Sequence, residues 1–182
     1  VHFVSRKAFD IEGLGQEIIN TFNKKGYLND VADIFKLKIY KDELTSIDGF
    51  GEKSISNLLN SIEQSRRVDL HKLIYSLGIS EVGEATSRNL AQEYKNIHSF
   101  VDANFDHLLE IDDIGSKVAS NIINYMQTDF AQSLLPRIIK ELNVINVKEV
   151  DLADLPLNGI QVVLTGKLTN FSRDEIKENL IL

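Results

Sequence analysis

The amino-acid sequence predicts an all-α fold built from four copies of one unit, each a helix, a tight turn and a second helix. One observation is a recurring glycine, spaced by 32 to 36 residues, at Gly15, Gly51, Gly83 and Gly115. Another is an isoleucine four residues before each glycine, at Ile11, Ile47, Ile79 and Ile111. A repeat of this period is typical of a supersecondary unit used several times in one chain.

Two further apolar positions place the helices within each unit. The residue before each glycine is apolar, at Leu14, Phe50, Val82 and Ile114. The residue seven places after each glycine is also apolar, at Phe22, Leu58, Leu90 and Ile122. Because seven residues make about two turns of helix, each glycine is predicted to open a helix with one buried face.

The elements before the second turn follow from local signals. Residues 3–9 are predicted to form a short helix that leads into the first turn and places Arg6 near the surface of the turns. Asp30 is a predicted N-cap for a helix through Leu37, and Asp42 is predicted to begin the short helix before the second turn.

Later elements are assigned in the same way. A helix is predicted over residues 54–65, ending near Arg66 and Arg67, and Asp69 is predicted to start the next helix. Asn104 is a predicted N-cap before the fourth turn. The two arginines fit the negative end of a helix dipole, or they could meet a phosphate, and the sequence leaves both readings open.

The first two turns have the pattern Ile-x-Gly-apolar-Gly, which predicts an anion site. Glycine permits a positive φ and a close approach to the backbone. If the apolar residue points into the core, the turn's N–H groups face outward beside a helix N-terminus, which favours a phosphate. The simpler reading is that such turns only cap helices.

The third and fourth turns depart from this pattern, since Glu81 and Asp113 replace the first glycine. A carboxylate is unfavourable near a phosphate, so these turns are expected to pack, to pair with their neighbours, or to contact a phosphate only through later amides. Lys53 and Lys117 both lie two residues beyond the second glycine of their units. A lysine is poorly placed at a helix N-terminus, so either an anionic partner or a solvated surface explains it.

The turns resemble the helix-hairpin-helix motif, which implies binding to the DNA backbone without sequence specificity. Motifs of this kind commonly pair about a local two-fold axis, which would group units one with two and three with four. The resemblance therefore implies two pseudo-symmetric pairs of hairpins that follow a duplex across its minor groove.

Composition limits the alternatives. The chain has 182 residues, no cysteine, four histidines and a net charge of −7. The absence of cysteine excludes disulfides and thiolate metal sites, the histidines have no metal-ligand spacing, and no metal site is predicted. No apolar run is long enough to span a membrane and no signal peptide is recognised, so a soluble, cytoplasmic protein is expected. A net negative charge predicts modest DNA affinity, carried by backbone amides and helix dipoles.

The C-terminal part differs in character. Residues 1–146 are predicted as the helix-hairpin-helix domain, and residues 147–158, acidic and interrupted by Pro156, as a linker. Residues 159–182 predict a strand, a loop and a helix, which are too few to bury a core alone. This segment is expected to be the beginning of a larger α/β domain.

Longer stretches identify a family. Residues 2–15 (H-F-V-S-R-K-A-F-D-I-E-G-L-G), 48–54 (D-G-F-G-E-K-S) and 77–86 (L-G-I-S-E-V-G-E-A-T) resemble the C-terminal half of bacterial NAD-dependent DNA ligases. Residues 162–175 (V-V-L-T-G-K-L-T-N-F-S-R-D-E) resemble the start of that family's BRCT domain. The fold expected from the resemblance is four tandem helix-hairpin-helix motifs followed by a truncated α/β BRCT remnant.

The resemblance implies a parent enzyme that seals nicks in DNA with NAD, magnesium and a structural zinc, all held by other domains. This chain would be catalytically silent and need no cofactor of its own. Its expected partners are nicked duplex DNA and the remaining ligase domains, and a monomer is expected. Residues carried over as phosphate contacts are Gly13, Leu14, Gly15, Gly49, Phe50, Gly51, Lys53, Gly83, Gly115, Lys117 and Arg6. Thr165 and Gly166 match a BRCT phosphate site, although a simple strand-to-loop turn explains them as well.

Two other functional classes fit parts of the sequence. One is a non-catalytic repair or junction-binding scaffold that uses paired hairpins without ligase activity. The other is a helical interaction module in which the turns only cap helices. DNA binding that ignores sequence would agree with both the ligase fragment and the scaffold, and it would contradict the interaction module.

Overall fold

Nine α-helices and one short pair of strands organise the part of the chain that can be described. The computed structural model describes residues 1–147 and the isolated positions Val163 and Ile176. The chain divides into two units, Val1–Val147 and Lys148–Leu182. Apart from Val147, Val163 and Ile176, the predicted linker and the BRCT-like segment, including Thr165 and Gly166, lie outside the described residues.

The helices follow one another with short connections. Two segments are 3-10 helical, at His2–Val4 and Val31–Tyr40. The α-helices of the first half are α1 (Gln16–Lys24), α2 (Lys41–Thr45) and α3 (Glu52–Ser65). Those of the second half are α4 (Leu70–Ser76), α5 (Glu84–Tyr94), α6 (Ile97–Val101), α7 (Phe105–Glu110), α8 (Ser116–Met126) and α9 (Asp129–Glu141). No helix in the described ranges is both long and apolar enough to cross a membrane.

The apolar positions of the sequence repeat lie in the hydrophobic core of the first unit. The residues seven places after the glycines are all buried, at Phe22, Leu58, Leu90 and Ile122. The residues before the glycines also point inward: Leu14, Val82 and Ile114 are buried, and Phe50 packs on Phe22 with ring centroids 5.5 Å apart. These contacts confirm that each turn is anchored in the core by its apolar residue.

The N-terminal segment joins the two halves of this unit. Phe3 stacks on Phe9 at 4.2 Å, and both rings contact Phe35 in the first half. Nε2 of His2 lies 2.8 Å from the carbonyl oxygen of Tyr75 at the end of α4. The segment is a 3-10 turn over His2–Val4 followed by further turns, rather than the single short helix predicted for residues 3–9.

A two-stranded parallel pair adds β-structure to the predicted all-α fold. Strand β1 (Arg67–Asp69) pairs with β2 (Asn143–Ile145), with Val68 opposite Val144. Val68 is buried, so this connection between α3 and α4 is fixed in the core. Three-residue strands have too little alternation to be recognised from sequence, and the partner lies on the far side of six helices.

Capping residues mark several helix starts as predicted. Asn104 Oδ1 accepts from the amide of His107 at 2.9 Å and caps α7. Asp30 caps its segment through the amide of Ala32 at 2.9 Å, although that segment is 3-10 helical and extends to Tyr40 rather than Leu37. Asp42 lies inside the first turn of α2, which begins one residue earlier.

Candidate nucleic-acid interface

Four turns with the same backbone path precede α1, α3, α5 and α8. We call them turn 1 (residues 11–15), turn 2 (47–51), turn 3 (79–83) and turn 4 (111–115). In each, the amide of the fourth residue donates to the carbonyl of the isoleucine, at 3.4, 3.0, 3.0 and 3.1 Å in chain order. The third residue has a positive φ in all four, at Gly13 (82°), Gly49 (85°), Glu81 (66°) and Asp113 (64°). The acidic replacements therefore leave the turn geometry unchanged.

The glycine that ends each turn is the N-cap of the helix that follows. These glycines are exposed and have extended backbones, with φ between −74° and −91°. None supplies a side-chain cap, so the first amides of each helix lack a side-chain acceptor there. A Cβ atom built at any of them would meet no described heavy atom within 4 Å beyond its chain neighbours. Internal packing therefore does not require glycine at Gly15, Gly51, Gly83 or Gly115.

The first glycines differ in this respect. Gly13 and Gly49 are exposed and need the left-handed conformation that glycine adopts without strain. Leu14 is 1% exposed, so only its backbone could meet a ligand, and the half-buried Phe50 turns its ring toward Phe22. At these positions turns 1 and 2 therefore offer backbone groups to a ligand, although the acidic side chains of Glu12 and Asp48 in the same turns are also exposed.

Lys117, in the first turn of α8, forms an ion pair with a residue of turn 3. Its Nζ lies 2.8 Å from Oε1 of Glu81 in turn 3. The hydrogen bond from Lys117, together with its positive charge, lowers the pKa of the Glu81 carboxyl below its ordinary value. Lys53, at the equivalent place on α3, is exposed and has no ion-pair partner within residues 1–147. The two lysines predicted from one pattern therefore lie in different electrostatic settings.

Two asparagines that sequence reasoning missed hold turns 3 and 4 side by side. Nδ2 of Asn121 in α8 donates to the carbonyl oxygen of Ser80 in turn 3 at 3.0 Å. Nδ2 of Asn89 in α5 donates to the carbonyl oxygen of Asp112 in turn 4 at 3.3 Å. Each asparagine lies six residues after its cap glycine, as does Asn57 in α3, and this spacing was the available signal. The reciprocal bonds make the two hairpins a symmetric pair.

The basic residues outside the turns divide into two groups. Arg6 is exposed, and its neighbour Lys7 lies 3.1 Å from Glu84 at the start of α5, which places this segment beside turn 3. Arg66 instead serves the fold: its guanidinium donates to the carbonyl oxygens of Phe35 (2.6 Å) and Glu141 (2.9 Å). It also pairs with the Glu141 and Glu63 carboxylates. These contacts give Arg66 a structural role, whereas Arg67 is exposed.

Metal-binding geometry does not arise in the described part of the chain, where no three His, Asp or Glu side chains converge. Turns 1 to 4 offer backbone amides and helix N-termini, and Lys53 and Lys117 lie in the first turns of the helices that follow turns 2 and 4. Such groups bind phosphate oxygens and carry no information about base sequence.

The sequence of this chain is similar to a known motif family and to several known proteins. Residues 72–135, which include turns 3 and 4, match the family described as a helix-hairpin-helix motif. The chain is 36% identical over 179 residues to a DNA ligase of Acholeplasma laidlawii, covering 98% of the chain and 27% of that protein. It is 38% identical over 182 residues to a DNA ligase of Natranaerobius thermophilus (98% and 27%) and 39% identical over 183 residues to one of Saccharophagus degradans (98% and 26%). The chain thus spans about a quarter of the length of the curated relatives it matches.

Proposed function

We propose that this chain, which is homologous over nearly its whole length to a segment of bacterial proteins named DNA ligase, binds duplex DNA across the minor groove without reading its sequence. In this proposal turns 1 to 4 all belong to helix-hairpin-helix motifs, arranged as two pairs. The phosphates of both strands are bound by the amides of the turns.

The exposed cap glycines carry the proposal. A serine or aspartate at an N-cap would satisfy a helix amide with its own oxygen, yet all four turns have glycine, with no steric need for it inside the described chain. A bare cap leaves the amides and the positive end of the helix dipole accessible to an external anion. Because the same arrangement occurs four times, a ligand with regularly spaced anionic groups fits best, and a duplex backbone has that character.

The acidic composition is compatible with this mode of binding. The net charge is −7, so bulk attraction to DNA is weak. Backbone amides and helix dipoles do not contribute to that formal charge. Few lysines neutralise phosphates in this proposal, and the salt dependence of binding is therefore expected to be shallow.

The ligase relationship supplies the context of binding. We propose that the parent enzyme seals nicks with NAD and magnesium, and that its NAD, magnesium and zinc sites belong to domains outside this chain. This chain would hold nicked duplex DNA while the remaining domains close around the break, as a monomer in the bacterial cytoplasm. We further propose that residues 159–182 begin a BRCT domain with a phosphate site at Thr165 and Gly166.

Fluorescence anisotropy with the 182-residue chain tests the proposal. The probes are labelled nicked, intact and single-stranded DNA of several unrelated sequences, each at two salt concentrations. We expect duplexes of different sequence to bind with similar Kd, and binding to weaken as salt rises. Circular dichroism of the same sample shows that the chain is folded. A folded chain that binds no duplex even at low salt would overturn the proposal and favour a protein-interaction module.

A further inference from the structure

We infer that Glu81 competes with the DNA backbone for Lys117, so that the ion pair between turn 3 and α8 opens when a phosphate binds. This inference rests on the proposed DNA binding and adds a regulatory element to it. It assigns a function to the carboxylate that replaces glycine in turn 3.

The ion pair is short but exchangeable. Nζ of Lys117 lies 2.8 Å from Oε1 of Glu81, while the two side chains are 77% and 50% exposed. A pair this exposed contributes little net stability, because water solvates both charges and two flexible side chains are held in one geometry. A phosphate that approaches the first turn of α8 can therefore replace the carboxylate as the partner of Lys117.

The backbone indicates that the carboxylate is kept at this position against a local preference. Glu81 has a φ of 66°, in the left-handed region that disfavours residues with a Cβ atom. Turn 1 has Gly13 at the corresponding position with a φ of 82°, so glycine fits the same turn without strain. The turn itself is fixed by the amide of Val82, which donates to Ile79, and by Asn121, which donates to Ser80. Residues with a Cβ atom that persist in this backbone region are concentrated at functional positions.

The chain contains its own comparison for this effect. Lys53 has the same place on α3 and no acidic partner among the described residues. A phosphate that binds Lys53 breaks no ion pair, whereas one that binds Lys117 must displace Glu81. The two lysines should therefore contribute unequally to DNA affinity, although they are equivalent by sequence position.

Asp113 provides a matched control. It occupies the same turn position in turn 4 and has nearly the same φ of 64°, but no described residue pairs with it. An acid at either position repels a nearby phosphate directly. Of these two acids, only Glu81 pairs with a lysine among the described residues.

The test is a double-mutant cycle of DNA affinity, measured by anisotropy with the complete chain and an intact duplex at low salt. Glu81→Gln keeps the size and the backbone preference of the residue and removes its charge. We expect it to strengthen binding roughly two- to fivefold, the range of an exposed ion pair. In a Lys117→Gln background the increase should shrink to about the size of the change that Asp113→Asn causes, and Asp113→Asn should change Kd by less than Glu81→Gln does in the parent chain.

The outcomes separate this inference from the proposed function. If Glu81→Gln leaves Kd unchanged, or strengthens binding equally in the Lys117→Gln background, the exchange is wrong while DNA binding stands. If the folded parent chain binds no duplex, the proposed function fails first and the inference with it. Thermal unfolding of each variant shows whether a change in Kd reflects loss of the fold.

Discussion

Gly49 and Gly51 flank the same phenylalanine in turn 2, yet only Gly49 has a left-handed backbone, with a φ of 85°. Gly51 has a φ of −91° and open space where a Cβ would lie. The backbone of the turn therefore favours glycine at Gly49, whereas neither backbone conformation nor packing within the described residues requires glycine at Gly51.

This difference predicts that alanine at Gly49 lowers the stability of the fold, whereas alanine at Gly51 mainly weakens DNA binding. Gly49→Ala forces a Cβ into the left-handed region and should lower the free energy of unfolding by about 1 kcal/mol. Gly51→Ala should change it by no more than about 0.5 kcal/mol, because a small loss at the cap and a small gain from the unfolded chain oppose each other. Gly51→Ala should nevertheless weaken duplex binding, since its methyl group would occupy the proposed phosphate site. Urea unfolding and anisotropy measure the two effects, and equal Kd values for Gly51→Ala and the parent would contradict the assignment.

Lys53→Gln should weaken DNA binding without changing stability. Lys53 is exposed, has no ion-pair partner in residues 1–147, and lies in the first turn of α3. Loss of one phosphate contact should reduce the slope of log K against log salt by about 0.9. Lys24→Gln is the control, because Lys24 is the last residue of α1, at the opposite end from turn 1. A salt slope for Lys53→Gln that equals the parent's would show that Lys53 does not touch DNA.

Arg66→Met should destabilise the fold and leave the DNA contacts intact. The substitution leaves the carbonyl oxygens of Phe35 and Glu141 without their charged donor, at a cost of about 2 kcal/mol. Arg67→Met is the matched control, since the Arg67 side chain is exposed. Urea unfolding compares the two, and anisotropy is performed at a temperature where both are folded. A larger loss of stability for Arg67→Met than for Arg66→Met would contradict this assignment.

Glu84 should make stability depend on pH below the ordinary range of a glutamate. A hydrogen bond from Lys7 lowers the pKa of the Glu84 carboxyl, and the positive charges of Lys7 and Arg88 lower it further. Burial acts in the opposite direction and raises this pKa. A depressed pKa in the folded state contributes stability that is present above the unfolded value of about 4.5 and is lost as pH falls through the lower folded value. Glu84→Gln should therefore lower the Tm at pH 7 and lose that difference at pH 3. Thermal unfolding across this range is the measurement, with Glu17→Gln in the first turn of α1 as a control. A Tm difference for Glu84→Gln that persists at pH 3 would argue against the ion pair.

Much of the local structure could be predicted from the chain. The four cap glycines, the apolar residues of the turns and the buried residue two helical turns later all lie as their spacing indicates. Asn104 could be recognised as a cap because capping joins residues three positions apart. Signals of this kind depend on helix period and turn geometry, which operate over a few residues.

The candidate site was only partly predictable. The pattern named Lys53 and Lys117 as equivalents, but the structure pairs one with Glu81 and leaves the other without an ion-pair partner in the described residues. The asparagines Asn89 and Asn121 carry a spacing signal that gains meaning only when two hairpins face each other. Arg66 has the sequence context of a surface cation at the end of a helix, because its partners Phe35 and Glu141 lie far away in sequence.

The sequence by itself determined the repeating unit, the turn geometry and the inward face of each helix, since all of these follow from interactions between near neighbours. Tertiary structure alone decided which charges meet. Glu81 and Lys117 are brought together by the packing of two hairpins, Arg66 and Glu141 by the return of α9, and β1 and β2 by the same return. The energy of such long-range contacts depends on the arrangement of the whole unit, and the residues involved carry no local pattern that distinguishes an exposed ion from a paired one.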